Sequence, residues 1–193
     1  MKICIYGSAS DHIDETFKTE TFELGKELAE RGHSMVFGAG SEGLMGAAAS
    51  GFKAGGGYVH GVIPKFFEEG GYEAIFYEAD EITFTQTMAE RKAKMEDECQ
   101  AFIIVPGGIG TFEEFFQVFT LKQLGRHDKA IAIFNINGYY DKMLDMIETS
   151  MNAGFINKEC KKLIKTFDNK KDLIEYVENY NSDDISWGRL KTN

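Results

Sequence analysis

A repeated unit constrains this chain more than any single residue: a short continuous apolar run, a glycine-rich turn, then a segment able to form a helix. KICIY runs into Gly-Ser-Ala-Ser at 7–10, SMVF into GAGSEGLMG at 38–46, and AFIIV into PGGIGT at 106–111. YVHGVIP and AIAIFNI read as further strands, and GGYEAIFYEAD at 70–80 as the fourth in chain order. Helical patterns fill the gaps at 15–31, 44–54, 85–98, 111–124, 139–153 and 171–180, the first closed by Gly32. Strands that are apolar throughout, rather than alternating, are covered on both faces. The pattern therefore predicts an α/β fold, a doubly wound parallel sheet with helices on both faces. With 193 residues and no linker or repeat, a single domain over 1–180 is expected, followed by a polar tail at 181–193 that Trp187 anchors.

In such a sheet, ligands bind beyond the carboxyl ends of the strands. The three glycine turns fall there, so they are expected to converge on one crevice. A net charge of −10 argues against wrapping a nucleic acid, which needs a basic face, but leaves room for a small anionic ligand. Cys4, Cys99 and Cys160 are widely spaced, and His12, His33, His60 and His127 are scattered with no acidic partner in view. Neither a disulfide nor a metal site is expected. No window approaches the ~20 apolar residues of a membrane span, and MKICIYGSAS has too short an apolar run for a signal segment. The expectation is a cytoplasmic protein with no membrane association.

Gly38-Ala-Gly-Ser-Glu-Gly43 matches G-x-G-x-x-G, but it follows the second strand, and the third ends in Ile-Pro with no acidic residue for a ribose hydroxyl. A tight turn that lets a helix pack closely accounts for it without a dinucleotide, and no cofactor is expected. PGGIGT lacks the Walker lysine, since Thr111 and Phe112 follow Gly110. Its glycines and the helix beyond them offer free amides and a positive dipole end, with phosphate the obvious anion. Two glutamates follow at once. Read locally, Thr111-Phe-Glu-Glu114 is a capping box. Adjacent helical positions point ~100° apart, so Glu113 and Glu114 cannot both face one ligand. Upstream, Arg91 and Lys92 of Met88-Ala-Glu-Arg-Lys92 lie in the first half of a helix. They are either a solvated basic pair or a reach toward the strand ends, where a guanidinium suits a phosphate or carboxylate.

Together, PGGIGTFEE, MAERK, GAGSEGLMG and GVIP resemble the Lonely Guy (LOG) family, whose members are often mis-described as lysine decarboxylases. Pro106 to Glu114 matches P-G-G-x-G-T-x-x-E at every fixed position, and Met88, Arg91 and Lys92 match the second signature. The likeness covers roughly residues 1–156 and departs at Ala89, where the family has histidine, and at Ala39, within a turn that is commonly three glycines. The resemblance implies a Rossmann-like homodimer that hydrolyses the N-glycosidic bond of a nucleoside 5′-monophosphate to free base and ribose 5-phosphate. AMP or an N6-modified cytokinin riboside monophosphate is the implied substrate. The resemblance assigns catalysis to Arg91 and Glu114, and phosphate and sugar contacts to Gly107, Gly108, Gly110 and Thr111. Ser8, Gly43, Met88, Lys92 and Glu113 complete the expected surroundings of the substrate. Glu114, taken to lie in the first helical turn, is expected to stay ionised there. A non-enzymatic nucleotide or molybdenum-cofactor carrier of similar fold is the alternative. Lysine decarboxylation ranks last, because no pyridoxal phosphate lysine is in view.

Overall fold

The computed structural model describes residues 1–70, 74–183, 185, 187 and 190. One parallel sheet contains β1 Lys2–Tyr6, β2 Ser34–Phe37, β3 Val59–Pro64, β4 Glu81–Thr85, β5 Ala101–Ile104, β6 Ala130–Phe134 and β7 Lys165–Phe167. Their order is β4-β3-β2-β1-β5-β6-β7. The chain winds outward from β1 through β2 and β3 to β4, then crosses back to the other side of β1 as β5. Ile3 accordingly pairs with Met35 on one side and with Ala101 on the other. The winding reverses between β1 and β5, which places the ligand crevice of such a sheet beyond Tyr6 and Ile104.

Alternate residues of each strand feed two cores, as the pleat dictates. Ile3, Ile5, Met35 and Phe37 pack under α1 (Glu15–Glu30), α2 (Gly43–Ala54) and α7 (Lys170–Glu178). Cys4, Tyr6, Val36 and Ile104 pack under α4 (Met88–Glu98), α5 (Ile109–Gln123) and α6 (Asp141–Asn152). Full burial of each such aliphatic or aromatic side chain stabilises the fold by about 1.5–3 kcal/mol. Ile185 and Leu190 are buried and Trp187 packs against the second of these cores. Among the described residues no helix is long and apolar enough to cross a membrane.

The fourth strand is not where the apolar pattern put it. Over the described residues 74–80 only Ile75 pairs, in an isolated antiparallel bridge to Gly40, while residues 71–73 of that expectation lie outside the described set. β4 is instead EITFT, a partly exposed strand at the sheet edge, where a continuous apolar run is not required. A short helix, α3 (Lys65–Gly70), separates it from β3. Because β4 runs to Thr85, α4 starts at Met88 and not at Thr85. Thr87 caps it by accepting the Glu90 amide at 3.1 Å, and the Glu90 carboxylate accepts the Gln86 amide at 2.8 Å.

At the amino ends of the strands, charges close the sheet. Glu98 accepts Lys2 Nζ at 2.8 Å, pairs with Lys94 Nζ at 2.7 Å and lies 2.9 Å from His60 Nδ1. Burial would raise the Glu98 carboxyl, but the hydrogen bonds from Lys2 and Lys94 outweigh it and draw it down to about 2. His60 is buried, with its other ring nitrogen 2.9 Å from Thr83 Oγ1. His33 Nε2 lies 3.0 Å from Glu178. Two of the histidines therefore do have acidic partners, from elements too distant in sequence for a local reading to pair.

Lys122 is the other unusual charge. It is 0% exposed on α5, donates to the Leu163 carbonyl at 2.9 Å, and has its Nζ 4.6 Å from the centre of the Tyr180 ring. Burial lowers its ammonium group to about 7. An unfolded lysine titrates near 10.4. Above pH 7 the unfolded chain thus binds more protons than the folded one, and stability rises with pH until both forms are neutral. Urea unfolding of the wild type at pH 7 and pH 9 should show a gain of about 2 kcal/mol that Lys122→Met lacks. Equal slopes in the two proteins would contradict the buried, neutralising lysine.

Candidate active site

Ser8 joins the three glycine turns. Its amide donates to the Pro106 carbonyl at 3.0 Å, and its own carbonyl accepts the amides of Leu44 at 2.8 Å and Met45 at 3.2 Å. Gly43 permits this contact: its φ is +60°, and a Cβ there would lie 2.5 Å from Ser8 O. The expected convergence of residues 7–10, 38–46 and 106–111 is realised through these backbone bonds.

Two helices begin at the crevice, and their free amides differ. On α2, the Gly43 amide donates to Asp11 Oδ1 at 3.0 Å, and Leu44 and Met45 are committed to Ser8. The Gly43 amide and then the Lys18 ammonium, 3.1 Å away, hold the Asp11 carboxyl below its usual range. Gly43 therefore serves the loop, with its amide already taken. On α5, Gly108 stands at the N-cap and has no side chain with which to cap the helix. Gly108, Ile109 and Gly110 are exposed, and a Cβ at Gly108 or Gly110 would meet nothing within 4 Å. The start of this helix is exposed, and its first-turn amides have no acceptor within the helix, the arrangement that suits an anion.

The capping box expected at Thr111–Glu114 is absent. α5 starts at Ile109, so Thr111 is its third residue and Glu114 its sixth, in the second turn. Thr111 is 3% exposed and folds beneath Gly107, where a Cβ would come within 2.1 Å of its Oγ1. Dipole stabilisation fades beyond the first turn, so the helix end does not by itself keep Glu114 ionised. The turn is braced by two residues the motif reading passed over. Tyr139 donates its hydroxyl to Gly107 O and Tyr140 to Val105 O, each at 2.8 Å. The aromatic pair in NGYYD was the available signal.

α4 and α5 bring the two signatures together. Arg91 is 5% exposed and Glu114 8%, with Nη2 to Oε1 at 3.8 Å. Arg91 Nη1 lies 3.8 Å from Met88 Sδ, and Cζ lies 5.9 Å from the centre of the Phe67 ring on α3. Arg91 Nε is buried with no hydrogen-bond partner among the described residues. Lys92 Nζ meets Glu113 Oε1 at 2.5 Å, and the Glu113 side chain is half exposed. The two adjacent glutamates thus diverge: Glu114 turns inward to arginine and Glu113 outward to lysine.

A family model described as "Possible lysine decarboxylase" matches residues 45–177. A cytokinin riboside 5′-monophosphate phosphoribohydrolase of Arabidopsis thaliana is 35% identical over 93% of this chain and 83% of its own length. One from Oryza sativa subsp. japonica is 37% identical over 93% of this chain and 73% of its own. This chain belongs to the LOG family. Among solved structures, the molybdenum cofactor carrier protein of Chlamydomonas reinhardtii is similar at a TM-score of 0.69, covering 92% of this chain and 95% of that one. At 23% identity that likeness is one of fold. Within the LOG pattern, Ala89, in the place of the usual histidine, is exposed on α4. Ala39, in the turn commonly made of three glycines, is buried at φ +64°.

Gly43→Ala should cost about 2–4 kcal/mol, combining the left-handed backbone penalty with the clash against Ser8 O. Chemical unfolding measures this directly, and an unchanged midpoint and slope would show that the turn is not pinned as described.

Proposed function

We propose that this LOG-family chain is a phosphoribohydrolase that cleaves the N-glycosidic bond of a nucleoside 5′-monophosphate, releasing the free base and ribose 5-phosphate. The observation that carries the reading is the buried pair of Arg91 on α4 and Glu114 on α5, 3.8 Å apart, with Glu114 on the helix whose start at Gly108 is exposed. The relatives named above as cytokinin riboside 5′-monophosphate phosphoribohydrolases support it. AMP and its N6-modified derivatives are the substrates we assign.

The geometry suits the chemistry. A 5′-phosphate takes the amides of the exposed Gly108–Gly110 turn and the positive end of α5. Glu114 stands four residues beyond Gly110, ~6 Å along the helix axis, which is about the reach of a ribose 5-phosphate from phosphorus to the anomeric carbon. The C1′–N bond breaks with its electron pair leaving on the base, and positive charge develops on the sugar ring. The Glu114 carboxylate stabilises that charge and accepts a proton from the attacking water as the C1′–O bond forms. The departing base takes up that proton. Arg91 offsets the negative charge of carboxylate and phosphate in one place, and Lys92 holds Glu113 aside. A carrier needs no carboxylate placed against the anomeric carbon, so the buried Glu114 favours hydrolysis over carriage.

Base release from AMP, N6-isopentenyl-AMP and the corresponding nucleosides, followed by chromatography, tests the assignment. The monophosphates should be cleaved and the nucleosides left largely intact. Glu114→Gln should lower kcat by about 10³-fold or more while nucleotide affinity stays within several-fold, and Glu113→Gln should stay within about tenfold of wild type. Wild-type turnover in Glu114→Gln would sink the mechanism.

A further inference from the structure

Gly38 follows β2 directly and is not among the glycines of positive φ. Its missing side chain has another use. A Cβ built there would lie 1.7 Å from Arg91 Nη2, 2.8 Å from Cζ and 3.4 Å from Nε. The three nearest atoms all belong to one guanidinium, and none belongs to backbone.

The guanidinium has few other anchors. Its separation of 3.8 Å from Glu114 is an ion-pair distance, longer than a hydrogen bond. The Met88 sulfur at 3.8 Å is a weak acceptor, and the Phe67 ring centre is 5.9 Å away. An arginine free to approach a carboxylate closes to parallel hydrogen bonds of about 2.7–2.9 Å. Here the bare Cα of Gly38 leaves a hollow in which the guanidinium lies back, with Nε unclaimed among the described residues.

We infer that Gly38 is a positioning residue for the hydrolysis: a seat of bare backbone that sets where Arg91 holds its guanidinium relative to Glu114. The inference rests on the proposed function, which gives Arg91 its part in the reaction. A methyl at position 38 needs no change of backbone conformation. It displaces Nη2, the nitrogen that faces Glu114, and a misplacement of about 1 Å at such a group costs on the order of 100-fold in rate.

The test is a double-mutant cycle of Gly38→Ala and Arg91→Ala, read by kcat, KM and Tm on AMP or N6-isopentenyl-AMP, whichever the wild type cleaves. Gly38→Ala should lose about 100-fold in kcat/KM with a Tm close to wild type, and the double variant should be no slower than Arg91→Ala alone. Near-wild-type activity in Gly38→Ala, with Arg91→Ala inactive, overturns the inference and leaves the proposed function standing. Losses that multiply in the double variant also overturn it, because Gly38 would then act through something other than Arg91. Should Gly38→Ala prove unstable, Arg91→Ala must restore its Tm, since removing the guanidinium removes the clash; failure to do so overturns the inference. Full activity in Arg91→Ala overturns the role of Arg91, and the positioning role of Gly38 with it.

Discussion

Burying a guanidinium beside a carboxylate constrains everything around them. Each ion loses hydration worth several kcal/mol, and a pair 3.8 Å apart recovers less of it than one closed into short hydrogen bonds. The pair is therefore poor evidence for stability and good evidence for use. Its surroundings come from separate elements: Gly38 directly after β2, Phe67 on α3, Met88 one turn back on α4 and Glu114 on α5. The doubly wound sheet brings these together because β2 and β5 flank β1, so the segments leaving their carboxyl ends share one crevice. The charge pair is thus the point where topology becomes chemistry.

The two ends of the sheet treat polar groups in opposite ways. At the amino end, His60, Glu98, Lys2 and Lys94 form a closed set, with partners at 2.7–2.9 Å. At the carboxyl end, among the described residues, Arg91 Nε is buried without a partner, and the N-cap of α5 is a glycine with no side chain to cap it. Buried donors are nearly always satisfied in folded proteins, so an open one beside the crevice is what the proposed ligand site would require.

Sequence legibility followed burial. β1, β2, β3, β5 and β6 could be read because strands covered on both faces must be apolar throughout, whereas the edge strand EITFT carries no such requirement and was displaced to 70–80. Thr87-Met-Ala-Glu90 and Thr111-Phe-Glu-Glu114 are the same Thr-x-x-Glu pattern, yet only the first caps a helix. The strand ending at Thr85 delays α4 until Thr87 can cap it, while Gly108 takes the N-cap of α5 and buries Thr111 inside. Nothing within either tetrapeptide decides between these outcomes. The divergence of Glu113 from Glu114 was legible, because it follows from helical geometry alone. The seat of Arg91 on Gly38 was not, because it joins residues from different elements and leaves no local trace.

On the proposed function, the occupied start of α2 explains why a phosphate would have one seat. Two helix starts open on this crevice, and both carry the partial positive charge that attracts anions. The chain supplies its own anion to one of them: Asp11, fastened by Lys18, occupies the Gly43 amide, and Ser8 O takes the next two. A phosphate arriving there would have to displace a carboxylate and break the bonds that join the loops. At α5 the N-cap is Gly108, which has no side chain to be displaced. Discrimination between the two sites therefore comes from filling the wrong one, and the carboxylate that fills it also fixes the turn against which Ser8 and Pro106 are set. On the proposed function the orientation of the nucleotide follows: a phosphate at the start of α5 would set the sugar toward the second turn, where Glu114 stands with Arg91 of α4 beside it.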